Sequence, residues 1–199
     1  NMAKARDAFE RTDYRTLSPQ RREQYDIRMG YVEFSQGDYP KAYEHFDRIG
    51  SRSEYADHAR YYRAYIDYAE GRYGVAKQGF NSLLRSDAYR AVVPYYLLQI
   101  EFREGNYRYV VEHGDELARN AVPERRAELE RVIAESWFRL EDSNRTLEHL
   151  AAYRSAGGEM DRDACYLEGF SLYRTARYGE AAEWLRKACG AEDGLAQNA

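Results

Sequence analysis

A short pattern recurs along the chain at a fixed interval, and this periodicity constrains the fold more than any other feature. Gly37-Asp38-Tyr39, Gly71-Arg72-Tyr73 and Gly105-Asn106-Tyr107 begin 34 residues apart. A related pattern returns at Ala176-Arg177-Tyr178, and a weaker copy from Glu141 to Leu150 lies between them. Because a fixed period of about 20 to 50 residues is typical of repeat architectures, we count five copies of one structural unit.

Each copy is predicted to form two helices that fold back on each other at a tight turn. Apolar residues fall at helical spacing on both sides of the turn glycine; in the first copy they are Tyr25, Met29, Val32 and Phe34, then Tyr39, Ala42, Tyr43, Phe46 and Ile49. Glycine can adopt the left-handed conformation that ends a helix. Asp38 or Asn106, directly after the glycine, is expected to cap the second helix.

Residue size along the second helix predicts how the helices pack. Small residues are expected where the paired helices come closest, and a large apolar residue one turn later is expected to fill the space between pairs. The small residues are Ala42, Ala76 and Ala181, and the large ones are Phe46, Phe80 and Leu185. One copy cannot bury these faces alone, so the copies must stack.

The run Gly30, Gly37-Asp38-Tyr39, Ala42 and Phe46 resembles the tetratricopeptide-repeat signature, which also has a 34-residue period. The resemblance implies an all-α, right-handed superhelical solenoid of antiparallel helix pairs. Gly114 departs from the signature, because it stands where copy three should carry a large apolar residue. The aromatic residue expected four places before the turn is an acid in three copies and follows one place later, as Phe34, Tyr68 and Phe102.

We predict a single repeat domain over residues 1–199. Its approximate repeats are 23–53, 54–87, 88–121, 124–157 and 161–193, with partial repeats at 1–19 and 194–199. Ala3 to Thr12 resembles the second helix of a preceding copy, and Gly194 to Ala199 resembles the start of another helix. With the family resemblance, these ends favour a piece of a longer bacterial multi-repeat protein.

The charge and the apolar runs of the sequence argue against nucleic-acid binding and against a membrane span. The formal net charge is −4 and neither sign forms a long block, so the basic footprint of a nucleic-acid binder is missing. The longest apolar runs, such as Val92 to Ile100, are shorter than the roughly 20 residues that span a bilayer. We therefore expect neither nucleic-acid binding nor a membrane span.

The sequence contains no pattern that predicts catalytic, cofactor-binding or metal-binding residues. His45, His113 and His149 occupy one register in different copies, about 10 Å apart per step in a helix stack, so they cannot share an ion; we expect them on the outer helical surface. Cys165 and Cys189 are expected to be two buried thiols, with a disulfide as the alternative. We therefore predict no enzyme activity and no cofactor.

The first helices of successive copies are expected to line a concave groove that binds a protein or peptide. The candidate groove residues are Tyr31, Phe34, Tyr61, Tyr65, Tyr68, Tyr95, Phe102, Arg103, Phe138, Arg139, Tyr166, Tyr173 and Arg174. Tyrosine and arginine dominate binding hot spots, and the arginines favour a peptide with acidic and apolar residues. The alternative is that most of these aromatic side chains are interior.

Three functional hypotheses follow from this sequence. The first is a protein-interaction scaffold that binds a peptide in the aromatic, arginine-lined groove. The second is a structural spacer or self-association module without a ligand groove, whose aromatic faces are buried against other copies of the chain. The exposed ends of the array are a further place where copies could join. The third is the docking arm of an enzyme encoded elsewhere in a longer chain. The partner and the compartment, cytoplasm or periplasm, are left open.

Overall fold

The computed structural model describes residues 11–189, and these residues form ten α-helices and one 3-10 turn, with no strand in that range. This confirms the predicted all-α fold. The 3-10 turn is Tyr14–Thr16. The helices are α1 Pro19–Ser35, α2 Tyr39–Asp47, α3 Ala56–Ala69, α4 Tyr73–Asn81, α5 Val93–Arg103, α6 Tyr107–Asn120, α7 Pro123–Arg139, α8 Ser143–Ser155, α9 Arg162–Arg174 and α10 Tyr178–Ala188.

Contacts divide the chain into two compact units, with the boundary between Leu97 and Leu98 inside α5. Unit 1 contains α1 to α4, and unit 2 contains α6 to α10. In unit 1 each helix packs on the next, and in unit 2 the same holds from α6 to α10, with an additional contact between α7 and α9. The single domain and its repeat boundaries remain predictions. The terminal helices predicted from Ala3 and from Gly194 lie outside the described residues, apart from Arg11 and Thr12.

The five turns between paired helices share one backbone geometry. Gly37, Gly71 and Gly105 have φ of 80°, 78° and 79°, as predicted, and the corresponding residues of copies four and five, Glu141 and Ala176, have φ of 64° and 60°. In each turn the next amide donates to the carbonyl of the residue four places before the turn residue, at 2.8–3.0 Å. Together with positive φ, these bonds make each turn a Schellman motif that ends the first helix.

The two predicted caps have different outcomes. Asp38 caps α2, since its side chain accepts a hydrogen bond from the Lys41 amide. Asn106 is the N-cap residue of α6, as predicted, but its side chain makes no cap hydrogen bond. Asn106 Nδ2 instead donates to Glu101 Oε2 at 2.6 Å. That carboxylate is buried and needs a donor, which the sequence pattern alone did not show.

Five of the six residues predicted to pack between helices are buried, and the sixth is half-buried. Ala42, Phe46, Ala76 and Phe80 are fully buried and Ala181 nearly so, whereas Leu185 is half-buried. The core cluster of unit 1 consists of Ala42, Phe46, Ile49, Ala59 and Ile66. The core cluster of unit 2 consists of Ala134, Leu150, Tyr153, Ala164 and Leu167. Both clusters join the second helix of one copy to the first helix of the next, as the stacking argument predicts.

Glycines inside the helices allow neighbouring side chains to approach closely. A Cβ atom on Gly30 would lie 2.6 Å from Cε1 of Phe46, so the ring of Phe46 lies directly over the α1 backbone. A Cβ atom on Gly114 would lie 2.6 Å from Cγ1 of Ile133. The large residue missing from copy three is therefore replaced by Ile133, which enters the space from α7.

Replacing Ala176 with glycine is expected to raise the free energy of unfolding by about 1 kcal/mol, because the left-handed conformation costs a residue with a Cβ about that much. The matched control is Ala182→Gly, an exposed position inside α10, where glycine is expected to cost up to about 1 kcal/mol. Urea unfolding measures both variants. A loss of stability for Ala176→Gly contradicts the turn assignment.

Candidate functional site

The thirteen candidate groove residues fall into two sets, one in each unit. Unit 1 contains Tyr31, Phe34, Tyr61, Tyr65, Tyr68 and Tyr95, and unit 2 contains Phe102, Arg103, Phe138, Arg139, Tyr166, Tyr173 and Arg174. Among the ten aromatic residues only Tyr31 and Tyr173 are exposed, at 44% and 56%, and the other eight are half-buried. Each set therefore contains one exposed tyrosine, Tyr31 in unit 1 and Tyr173 in unit 2.

The aromatic residues of unit 1 pack mainly on each other. Tyr62 and Tyr96, which were not among the candidates, stack on Phe46 and Phe80 with centroids 5.0 and 4.9 Å apart. Tyr31 meets Tyr62 edge-on at 5.9 Å. The remaining candidates extend the cluster through the contacts Phe34–Tyr65, Tyr61–Tyr89, Tyr65–Tyr96, Tyr68–Tyr96 and Tyr95–Tyr96. Most of this set fills the space between copies.

Burial changes the ionisation of these phenols. Burial raises the pKa of Tyr62 and Tyr65 above the ordinary value, and neighbouring tyrosines raise it further. Burial also raises the pKa of Tyr89 to about 12. These three phenols therefore require a higher pH than an ordinary tyrosine to lose their protons.

An aromatic pair flanks four of the five Schellman turns. The pairs, one on each side of the turn, are Phe34–Tyr39, Tyr68–Tyr73, Phe102–Tyr107 and Tyr173–Tyr178, with centroids 5.6–5.9 Å apart. In copy four Ser143 takes the place of the second aromatic residue. Phe138 therefore has no aromatic partner across its turn. Its ring contacts are with Tyr166 and Phe170 of α9, at 6.4 and 5.8 Å, and the contact with Phe170 corresponds to the Phe34–Tyr65 contact of copy one.

A surface recess of about 460 Å³ lies between α7 and α9 beside Phe138. Its lining combines aromatic, aliphatic and charged side chains: Glu135, Phe138, Arg139, Asp163, Tyr166 and Leu167. Three of these residues were candidates, while Glu135, Asp163 and Leu167 were missed. No repeated pattern in the sequence marks these three residues, because the recess depends on which faces of α7 and α9 pack against each other.

Arg131 pairs with Glu135, one of the two acidic residues that line this recess. It donates to Glu135 Oε1 at 2.8 Å and to Asp161 Oδ2 at 2.7 Å. Burial of Asp161 acts to raise its pKa, but the hydrogen bond and charge of Arg131 and the backbone amides of Ala164 and Asp163 together outweigh burial and hold that pKa below the ordinary value. Glu135 is thus paired with a cation, and Arg139 contributes an additional positive charge to the lining.

The three candidate arginines differ in their surroundings. Arg103 and Arg139 are exposed and have no hydrogen bond or ion pair within residues 11–189. Arg174 Nη2 lies 3.6 Å from Glu141 Oε2, and both side chains are largely exposed, so this pair contributes little stability. Arg139 is the arginine that lies in an aromatic recess.

Two of the three register-equivalent histidines depart from the outer-surface prediction. His45 Nδ1 lies 2.8 Å from the buried Asp26 Oδ1, and His149 Nδ1 lies 2.8 Å from the buried Glu130 Oε2. Only His113 is exposed, as predicted, with its ring bonded to the Tyr109 carbonyl. The prediction is wrong for His45 and His149 because each has an acidic residue facing it on the preceding first helix.

The two cysteines differ in burial. Cys165 and Cys189 are both thiols, but only Cys165 is buried, so the expectation of two buried thiols is wrong for Cys189. Burial raises the pKa of Cys165, which makes the nucleophilic thiolate scarcer. Within residues 11–189 no group of three or more His, Cys, Asp or Glu side chains is arranged to hold a metal ion.

No helix in the described part of the chain combines the length and the apolar character that crossing a membrane requires.

Comparison with solved structures identifies the fold. The chain is 18% identical to YrrB, described as a TPR protein with an unusual peptide-binding site, with a TM-score of 0.70 over 87% of this chain and 89% of that one. It is 12% identical to the MamA protein, with a TM-score of 0.69 over 84% of this chain and 90% of that one. A MamA RS-1 ArsTM double mutant gives 12% identity and a TM-score of 0.70, over 84% and 92% of the two chains.

No protein-family model matches the chain, and no curated protein matches it. At identities of 12–18% the structural likeness shows the fold. The chain therefore has a tetratricopeptide-repeat-like fold of the helical solenoid class, which confirms the resemblance stated from the sequence.

Proposed function

We propose that this chain, which has the tetratricopeptide-repeat fold, is a protein-interaction scaffold that binds a peptide segment on the first-helix surface of unit 2. The observation that carries the proposal is the recess between α7 and α9, where Phe138 and Tyr166 lie beside Arg139. Its volume of about 460 Å³ is in the range of ligand sites. The peptide-binding site described for YrrB is consistent with this use of the fold.

The chemistry of the recess indicates what kind of peptide segment binds there. Phe138, Tyr166 and Leu167 offer apolar contact area for one apolar or aromatic side chain of the ligand. Arg139 can donate a bidentate hydrogen bond to a carboxylate, and its guanidinium has no partner within the described residues. The favoured ligand therefore carries an apolar residue next to an acidic one.

The remaining candidate residues are expected to contribute to ligand binding to different extents. Arg103 extends the positive charge of the unit 2 surface, and Arg174 contributes less because Glu141 lies 3.6 Å away. Tyr173 provides an exposed aromatic contact at the end of α9. In unit 1, Tyr31 offers a separate exposed contact, while the buried phenols around Tyr62 support it from below.

Selection of peptides from a random display library, followed by fluorescence anisotropy with the best peptide, tests this proposal. Arg139→Ala is expected to weaken binding roughly tenfold, because a hydrogen bond to a charged group contributes about 1.5 kcal/mol. Tyr166→Ala is expected to weaken binding by at least as much, since tyrosine is a frequent hot-spot residue. The matched control is Arg85→Ala, which removes an exposed arginine from the segment between α4 and α5 of unit 1.

Equal affinity in Arg139→Ala and Arg85→Ala would remove the recess from the proposal. Failure to enrich any peptide, together with a concentration-dependent dimer in sedimentation velocity, would favour the spacer and self-association hypothesis instead. If the enriched peptides share a consensus without acidic residues, peptide binding remains supported but the preference for an acidic residue in the ligand is rejected.

A further inference from the structure

The recess between α7 and α9 contains two side chains of opposite charge that are available to a ligand. Its charged lining residues are Glu135, Arg139 and Asp163. Glu135 already accepts a hydrogen bond from Arg131 Nε at 2.8 Å. Arg139 and Asp163 are exposed, and within residues 11–189 neither side chain has a hydrogen bond or an ion pair. The available charges of the recess are therefore one cation and one anion.

The position of Asp163 in α9 shows that the helix does not use its side chain as a cap. Asp161 is the N-cap residue, and its Oδ1 accepts a hydrogen bond from the Ala164 amide at 2.9 Å. Asp161 also pairs with Arg131 at 2.7 Å. The contribution that remains for the Asp163 side chain is its negative charge in the first turn, which is favourable at a helix N-terminus but is screened by salt. The local structure of α9 thus leaves the Asp163 carboxylate available to a ligand.

The two unpaired charges lie at different places in the recess. Arg139 is the last residue of α7, and Asp163 is the second residue of α9. Both line the same recess, yet they do not pair with each other. The apolar part of the lining comes from Phe138, Tyr166 and Leu167. A bound segment can therefore contact the cation, the apolar surface and the anion at the same time.

We propose that the ligand of this recess carries a basic residue as well as an acidic one, and that Asp163 pairs with the basic residue while Arg139 pairs with the acidic residue. This inference rests on the peptide-binding function proposed above and specifies the chemistry of the partner. The apolar residue of the ligand lies between the two charges, against Phe138 and Tyr166. Lysine or arginine suits Asp163, because a carboxylate accepts charge-assisted hydrogen bonds from either.

The two opposite charges select against ligands that carry charge of a single sign. An acidic peptide that pairs with Arg139 brings a second negative charge close to Asp163, and a basic peptide that pairs with Asp163 brings a second positive charge close to Arg139. Like charges placed together in this way lower affinity and so give specificity. Because both protein side chains are exposed, each ion pair contributes modestly and weakens as salt is added. The favoured ligand is therefore a segment of mixed charge around an apolar residue.

Selection from a library of short random peptides with a fixed central phenylalanine tests this inference. The purified 199-residue chain is expected to enrich both acidic and basic residues beside the phenylalanine. Asp163→Asn is expected to lose the basic enrichment and keep the acidic one, and Arg139→Ala is expected to do the reverse. The matched control is Glu180→Gln, which removes an exposed acidic residue from the first turn of α10, outside the recess. It is expected to keep both enrichments.

Fluorescence anisotropy with the most enriched peptide measures the size of the effect. Asp163→Asn is expected to weaken binding about fivefold, which corresponds to about 1 kcal/mol for an exposed ion pair. The same variant is expected to bind a peptide whose basic residue is changed to alanine as well as the parent chain does. Asp163 is exposed, so Asp163→Asn is expected to keep the fold, which far-UV circular dichroism verifies.

Equal affinity of the parent chain and Asp163→Asn for the enriched peptide would overturn the inference, and so would enriched peptides without a basic residue. A loss in Glu180→Gln as large as that in Asp163→Asn would also overturn it, because the effect would then come from helix charge and not from the recess. If Arg139→Ala still weakens binding in these cases, the proposed function stands without the role of Asp163. Failure to enrich any peptide removes both.

Discussion

Replacing Phe46 with alanine is expected to lower the free energy of unfolding by about 4 kcal/mol. The side chain is fully buried in unit 1 and stacks on Tyr62 at 5.0 Å. It also lies over Gly30, where no Cβ keeps it away. Removing the ring opens a cavity that these rigid neighbours cannot fill, and the loss is a large share of the roughly 5–15 kcal/mol of a typical domain.

Urea unfolding followed by far-UV circular dichroism measures this loss. The matched control is Val75→Ala, since Val75 is an apolar side chain of the same unit that is 51% exposed. Trp137 and Trp184 both lie in unit 2, so tryptophan fluorescence reports whether unit 2 unfolds together with unit 1. A loss below about 1 kcal/mol would contradict the central position of Phe46.

Changing Gly114 to phenylalanine is expected to destabilise unit 2 by about 3 kcal/mol, although it restores the large apolar residue of the repeat signature. The new Cβ would lie 2.6 Å from Ile133 Cγ1 and 2.8 Å from its Cδ1. Ile133 is itself fully buried and has no free space to move into. Urea unfolding followed by tryptophan fluorescence measures this loss of stability in unit 2, because Trp137 and Trp184 both lie there.

A second substitution tests whether the loss comes from the clash with Ile133 or would follow from any large side chain at position 114. Removing Cγ1 and Cδ1 in Ile133→Ala leaves Cβ, which lies 3.9 Å from the added Cβ, an ordinary contact. The double variant Gly114→Phe, Ile133→Ala is therefore expected to lose less stability than the sum of the two single variants. Gly74→Ala, at an open position inside α4, is the control and is expected to gain up to about 1 kcal/mol. Additive losses would reject the steric explanation.

The helix pairs could be predicted because their signals are local. A glycine that ends a helix, followed by an aromatic, an alanine and a large apolar residue, specifies one turn and two helix faces within a single copy. The turns at Glu141 and Ala176 have the same geometry without glycine, so neighbouring copies impose it where the local signal is weak. Asn106 shows the converse, because its side chain donates a hydrogen bond to the buried Glu101 carboxylate and not to a cap partner in α6.

The candidate binding surface was predictable only in part. Periodicity placed the aromatic residues on the first helices, but it could not decide which of them face solvent. Tyr65 and Tyr31 stand in equivalent runs, yet Tyr31 is 44% exposed and Tyr65 is half-buried, because Phe34 and Tyr96 both pack on Tyr65. The recess around Phe138 depends on packing between α7 and α9, which are separated in sequence.

The repeat, its period and the three turns that contain glycine could be derived from the sequence alone, because each depends on backbone preferences and helical spacing within about 34 residues. Tertiary structure decided which polar and aromatic groups meet. His45 and His149 find buried carboxylates while His113 remains exposed, and Ile133 fills the space above Gly114. The physical reason is that hydrogen bonds and close packing act over a few ångströms, between residues that only folding brings together.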